Sequence, residues 1–128
     1  MVEGILIAEL PQFAGQIRAH LNRIARHDKY EKTAAEYEAE IMAGKIQVWS
    51  LSNFEAMALT SVQRSCVKLE WVVGHNRHKW QEALDAELRA WANHLGKPRL
   101  IVNARPGWAR LAKKLGYREM QRVYEVAL

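Results

Sequence analysis

Five consecutive polar side chains, His75, Asn76, Arg77, His78 and Lys79, separate an apolar run, VKLEWVV, from a strongly periodic stretch beginning at Trp80. At the entry to a helix such residues could hold an anion. The first helical amides lack internal partners, the helix dipole is positive there, and Arg77 could fork onto a phosphate or carboxylate. The same residues also suit a solvated turn in which Asn76 caps the helix. His75 and His78 stand three apart with no carboxylate or third histidine nearby, short of a metal-ligand set. Glu70, inside the apolar run, could serve as a general base; by strict alternation it faces away from Leu69 and Trp71, as a surface carboxylate would. Asn103 ends the short run RLIVN, where it could bind substrate or water or simply form a turn.

The elements around these residues follow from periodicity. Ile5, Ile7 and Leu10 suggest a first strand before Pro11. Phe13, Ile17, Leu21 and Ile24 recur at steps of four, four and three, which predicts an amphipathic helix. A polar break at 28–32 precedes a second helix over Thr33 to Ala43, with Gly44 as its stop. The period then becomes two. KIQVWSL, a Ser52-Asn53 turn, and Ala56 to Val62 read as a hairpin, and a polar turn at Gln63 to Ser65 leads into a third strand, Cys66 to Val73.

Trp80, Leu84, Leu88, Trp91 and Leu95 fall at steps of four, four, three and four, a long helix stopped by Gly96-Lys97-Pro98. Leu100 to Val102 is apolar on both faces, as in a covered strand. Arg105-Pro106-Gly107 turns into a helix carrying Trp108, Leu111, Ala112 and Leu115. The alternation of Met120, Tyr124 and Val126 predicts a closing strand over Arg118 to Leu128. The expected whole is a single α+β domain over residues 1–128: a mixed, mostly antiparallel sheet with helices on both faces and one parallel crossover. The tryptophans at 80, 91 and 108 are expected in the core; Trp49 and Trp71 either share the Val73 face or lie exposed.

Bulk properties narrow the class. At 128 residues, 49% of them hydrophobic, the chain can bury a core without metals or disulfides. Cys66 is alone, so no internal disulfide forms, and a reducing cytoplasm suits this usage. No apolar run nears the ~20 residues of a membrane helix. Glu3 stands where a signal peptide carries Lys or Arg, so a soluble chain without an export address is expected. The net charge of +5 invites nucleic acid. Its cations are scattered along the sequence, however, at Arg18, Arg23, Arg26, Arg77, Lys79, Arg105, Arg110, Lys113 and Lys114, without a dense stripe or reading motif.

The element order, the LAKKLGY ending of the last helix, Asn103 upstream of it, and IMAG followed by IQVW resemble the GNAT superfamily of N-acetyltransferases. That resemblance covers the chain from about Phe13 onward and implies a GNAT-like fold. Two departures stand beside it. The family's glycine-rich turn reads Gln or Arg, two residues, Gly, one residue, Gly or Ala, letting backbone amides close on the pyrophosphate of acetyl-CoA. Here the stretch is GHNRHKWQEAL, with Gly74 as its lone glycine and Trp80 near a position expected to be small. Ala112 stands where the family commonly has a tyrosine that protonates the departing thiolate.

RPGWARLAKKLGY with a glycine-poor turn is also similar to small GNAT-like proteins of tailed bacteriophages. The main expectation from that similarity is a non-catalytic virion structure or assembly protein. It would have no cofactor, form a homo-oligomer, contact other virion subunits, and reside in the host cytoplasm or the virion. The alternative implied by the resemblance is an acetyl-CoA-dependent N-acyltransferase. In it Val72, Val73, Gly74, Asn76, Arg77, His78 and Lys79 hold the cofactor, Glu70 or a bound water is the base, and an amine enters beside Asn103 and the first two helices. A nucleic-acid module is a third class, resting on charge alone.

Overall fold

The computed structural model describes residues 1–28, 32–103, 108–120 and 124–128. Strand β1 (Val2–Ile5) is followed by a short 3-10 helix (Ile7–Phe13), helices α1 (Ala14–His27) and α2 (Ala34–Met42), and strands β2 (Gln47–Leu51), β3 (Ala56–Val62) and β4 (Val67–Gly74). Helix α3 (Arg77–His94), strand β5 (Leu100–Val102) and helix α4 (Ala109–Lys114) complete the described elements. The sheet order is β1-β2-β3-β4-β5. Its first four strands are antiparallel neighbours, and β5 lies parallel to β4 across the α3 crossover. The α+β expectation holds.

Two expected elements differ. Ile7 and Leu10 lie in the 3-10 helix rather than the first strand, because their spacing of three matches a 3-10 turn. Leu10 is buried there, and the Glu9 carboxylate accepts from the Leu6 amide at 3.0 Å. The alternating C-terminal pattern forms no strand among its described residues, Arg118 to Met120 and Tyr124 to Leu128. No described strand pairs beyond β5, and Met120, Tyr124, Val126 and Leu128 stay exposed, so the alternation has no sheet face to cover it. The turn at 105–107 lies outside the described residues.

Two apolar clusters sandwich the sheet. Ile17, Leu21 and Ile24 of α1 and Tyr37 and Ile41 of α2 pack on Val48, Met57 and Leu59, with Trp71 and Val73 against them. On the other face Trp80, Leu84 and Leu88 of α3 pack on Trp49, Leu51, Ala56, Ala58 and Leu69. Burial of Trp80 alone stabilises by about 4–5 kcal/mol before ordering entropy is subtracted. Local signals fix the ends: Thr33 accepts from the Glu36 amide at 3.1 Å to start α2, and Gly44 takes φ 76° to stop it. The β2–β3 turn carries Ser52, Asn53 and Phe54 all at positive φ, steadied by the Phe54 amide donating to Ser50 Oγ at 2.9 Å.

Candidate functional site

Strand β4 contains an irregularity that no alternation rule shows. Leu59 pairs with Trp71 and Thr60 pairs with Leu69, so Glu70 is an extra residue, a β-bulge. The bulge reverses the parity of the strand. Leu69 belongs to the α3 face, yet Trp71 and Val73 belong to the α1–α2 face and Val72 to the α3 face. Trp71 therefore does not share a face with Leu69, as strict alternation required. Trp49 packs on the α3 side, edge-on to Trp91 at 5.1 Å, and its indole donates to Thr60 Oγ1 at 2.9 Å.

The bulge also marks where the sheet opens. Strands β4 and β5 pair only through Val67–Leu100, Lys68–Ile101 and Leu69–Val102, and a last bond runs from the Asn103 amide to the Leu69 carbonyl at 3.3 Å. Among the described residues no pairing joins β4 to the chain beyond Asn103, so Glu70 to Gly74 turn one backbone edge toward the gap. Glu70 is half-buried at this fork. Its carboxylate accepts from Ser61 Oγ at 2.9 Å and lies 3.9 Å from Lys68 Nζ. Nearby on the α1–α2 side, the Tyr37 hydroxyl donates to Asp28, and burial raises the Tyr37 pKa, with the Asp28 carboxylate adding to the rise. Asn103 itself is exposed.

At the far end of β4, Gly74 has φ 129°, and a Cβ there would sit 2.4 Å from the Ala56 Cα. Its freedom serves contact with β3 rather than approach of a ligand. Asn76 is the residue preceding α3, at φ 60° and ψ 42°, but it does not cap the helix. Its side-chain amide donates instead to Glu55 Oε2 at 2.9 Å. The first turn of α3 thus has neither a side-chain cap nor an acidic residue. His75 through Lys79 are all exposed, and Arg77 rests its guanidinium over the Trp108 ring at 5.2 Å.

Trp80 lies in the core, as its helical period predicts, and does not crowd this turn. It is buried at 2% exposure under the sheet, and its indole nitrogen donates to the His75 carbonyl at 2.9 Å, so the large ring braces the turn from within. Val72 and Val73 alternate across the sheet just before the turn. The structure thus strings Glu70, Val72, Val73, Gly74, Asn76, Arg77, His78 and Lys79 along one edge, from the fork to the N-terminus of α3, with Asn103 across the gap.

A cleft between α3 and α4 adjoins the fork. Leu69, Val102, Leu84, Trp108, Ala112 and Tyr117 are among its lining residues, and its volume is about 30 Å³. Sequence reasoning passed over Tyr117 as part of a helix ending. Its hydroxyl donates to Asp85 at 2.5 Å, and burial, with Asp85 adding to the effect, raises its pKa. Arg89 ties the same corner: it bonds Asp85 at 2.9 Å and the Leu115 carbonyl at 2.6 Å, and stacks 5.0 Å from the Tyr117 ring. The only signal for this corner in the sequence was the Asp85–Arg89 spacing of four. Among the described residues no group of three or more His, Cys, Asp or Glu could hold a metal, and no helix is long and apolar enough to cross a membrane.

Comparison with known proteins places this geometry. No protein-family model and no curated protein matches the sequence. Solved structures do match in three dimensions. One is the aminoglycoside N-acetyltransferase AAC(6')-Iy in complex with CoA, 14% identical at TM-score 0.69, covering 100% of this chain and 93% of the other. A second is a predicted acetyltransferase with acetyl-CoA from Clostridium acetobutylicum, 11% identical at TM-score 0.69, covering 99% and 95%. A third is a ribosomal-protein-alanine N-acetyltransferase from Brucella melitensis biovar Abortus 2308, 12% identical at TM-score 0.68, covering 100% and 97%. The fold is that of the GNAT acetyltransferases. At such identities the likeness establishes the GNAT fold and nothing finer. It gives no support to the phage and virion-assembly expectation or to the expected lack of a cofactor, since two of these three structures contain CoA or acetyl-CoA.

Proposed function

We propose that the protein is an acyl-CoA-dependent N-acyltransferase acting on an amine. One observation carries this reading: the uncapped N-terminus of α3, ringed by basic side chains and placed at the end of an open strand edge. Carboxylates normally settle at the positive end of a helix dipole, each such contact contributing about 0.3–1 kcal/mol. Here Arg77, His78 and Lys79 occupy that end instead, with no acidic residue in the turn. The Glu55 carboxylate, held by the Asn76 side-chain amide at 2.9 Å, offsets part of this positive charge, and the exposed cations remain suited to an anion such as a diphosphate.

The residues present fit acetyl-CoA at that end. Trp80 is turned inward, the basic side chains are exposed, and Asn76 adopts the left-handed backbone that a glycine would otherwise supply. The α3–α4 cleft is the tighter part. Its ~30 Å³ is far below the roughly 300 Å³ of a small-molecule site, so occupancy there requires α4 to move outward.

Acetyl-CoA, when bound, supplies an activated acyl thioester. The chain's own groups do the rest. The Lys79 amide is already bonded to the Asn76 carbonyl at 2.9 Å, so the Arg77 and His78 amides and the Arg77 and Lys79 cations would hold negative charge, and the edge of β4 beyond Leu69 offers backbone bonds that orient an extended ligand. Glu70 stands at the fork, where its carboxylate can take a proton from an incoming ammonium, while Ser61 and Lys68 fix its direction. Ala112 has no proton to give, so no side-chain acid stands at that position. Asn103 stands across the gap, its amide bonded to the Leu69 carbonyl at 3.3 Å.

Acyl transfer measured as thiol release from acetyl-CoA, with a panel of an alkyl amine, a lysine peptide and an aminosugar, tests the reading. Glu70→Gln should lower kcat about a hundredfold with little change in KM for acetyl-CoA. Undiminished turnover in that variant would remove Glu70 from the role, and thiol release no faster than the uncatalysed rate with every amine would remove the reading.

A further inference from the structure

Folding gathers cations that lie far apart in the sequence. At the C-terminal end of α3, about 24 Å along the helix from its basic N-terminus, lies a groove of about 360 Å³. Arg89 of α3, Lys97 and Arg99 of the α3–β5 connection, and Arg118 beyond α4 line it, and no carboxylate is among the described lining residues. Arg89 is balanced by Asp85. The other cations are not so occupied. Lys97 Nζ bonds the Arg64 carbonyl at 3.2 Å and Arg99 bonds Ser65 Oγ at 3.1 Å, neutral partners that orient the cations without cancelling charge. Arg118 is exposed.

The negative end of the α3 dipole does not account for this cluster. It amounts to about half an elementary charge, against three cations. Its last carbonyls are also already bonded, through Leu95, Gly96 and Lys97 amides to Trp91, Asn93 and Ala92. Further cations stand close to the groove's lining residues. Arg64 is exposed on the β3–β4 turn that Lys97 grips, and Lys113 and Lys114 are exposed at the end of α4, whose following Gly116 lines the groove.

We propose that this groove binds the phosphodiester backbone of a nucleic-acid strand. Arginine forks match phosphate oxygens. Pro98, Leu100 and Met120 line the same groove and offer apolar surface to sugars or bases. A volume near 360 Å³ falls within the range of ligand sites, and the further cations Arg64, Lys113 and Lys114 favour a strand with several phosphates over a single phosphate. The site is independent of acyl transfer, because it lies at the other end of α3.

Fluorescence anisotropy with a labelled 12-nucleotide single strand, titrated between 30 and 300 mM KCl, reads the proposal. Binding should weaken with salt at a log–log slope near −2 to −3, as about three or four phosphate contacts would give. The double variant Arg99→Gln, Arg118→Gln should lose roughly tenfold in affinity at 100 mM salt and about 1.4 of that slope, while Arg18→Gln on α1, on the other face of the sheet from α3, should bind as the parent does. In the unaltered protein, amide shifts on adding the strand should cluster at 97–99 and 116–118, a readout independent of how the variants fold. Salt-insensitive or absent binding overturns the proposal. So do shifts centred on residues 75–79, an undiminished double variant, or tighter binding of a polyglutamate peptide than of the oligonucleotide.

Discussion

The imidazole of His20 is buried between α1 and the β2–β3 turn. Its Nε2 lies 2.7 Å from the Phe54 carbonyl and its Nδ1 has no hydrogen-bond partner. Burial pushes its pKa below the usual 6.5, opposed by the bond to Phe54 and reinforced by the nearby Arg23 and His75 charges. The unfolded chain therefore binds this proton more readily than the folded one. The stability is fully present above about pH 6.5 and is lost as pH falls toward the depressed folded value, at up to ~1.4 kcal/mol per pH unit. Urea unfolding at pH 7.5 and 5.0 should show that loss in the parent and a flatter dependence in His20→Gln, whose amide can still donate to Phe54. An equal pH dependence in both proteins would place the effect elsewhere. Residue identities alone showed His20 as one more polar position on a helix; its burial depends on a turn thirty-four residues away.

Among the elements, those with a strong period were legible and those decided by a partner were not. Ala56–Val62 and Leu100–Val102 are strands with the bounds their composition suggested, because apolar runs between turn residues leave few choices. The bulge at Glu70 was hidden, since VKLEWVV alternates well enough until a neighbouring strand fixes its register. Trp80 is buried, as its helical period predicts, but its direction at the turn was not legible. Its size suggested obstruction of the turn, while the first turn of α3 directs it under the sheet. The closing alternation after Gly116 promised a strand but depends on a neighbour beyond β5. Helix α4 is short, and its corner is tied to α3 through Arg89, Asp85 and Tyr117. Arg89→Gln should loosen it locally. Hydrogen exchange of α4 amides should quicken roughly tenfold, a change of about 1.4 kcal/mol, while β2 and β3 amides keep their rates. Equal acceleration in sheet and helix would mean that Arg89 supports the whole fold and not this corner.

For the whole molecule, the sheet fork and the charge distribution matter most. The layered α+β architecture could be read from element order, because a meander followed by helix and strand admits few packings. The site could be read only in part. The basic turn after β4 was visible as residue types, but its uncapped amides depend on Asn76 turning to Glu55, and the inward turn of Trp80 depends on the His75 carbonyl. The surplus positive charge looked diffuse along the chain because Arg64, Lys97, Arg99 and Arg118 are brought together by the ends of different elements. The proposed roles divide these two basic regions: an anion seat at the start of α3, at the far end of β4 from the fork, and a nucleic-acid groove at the end of the helix.

Thermal melting with and without acetyl-CoA tests the central claim, that the first turn of α3 and the open edge of β4 together form a coenzyme seat. The account predicts a rise in Tm that saturates with ligand, reaching ~2.7 kcal/mol of added stability at about a hundred times the dissociation constant, and a smaller rise in Arg77→Gln, Lys79→Gln. An unchanged Tm at millimolar acetyl-CoA would contradict it.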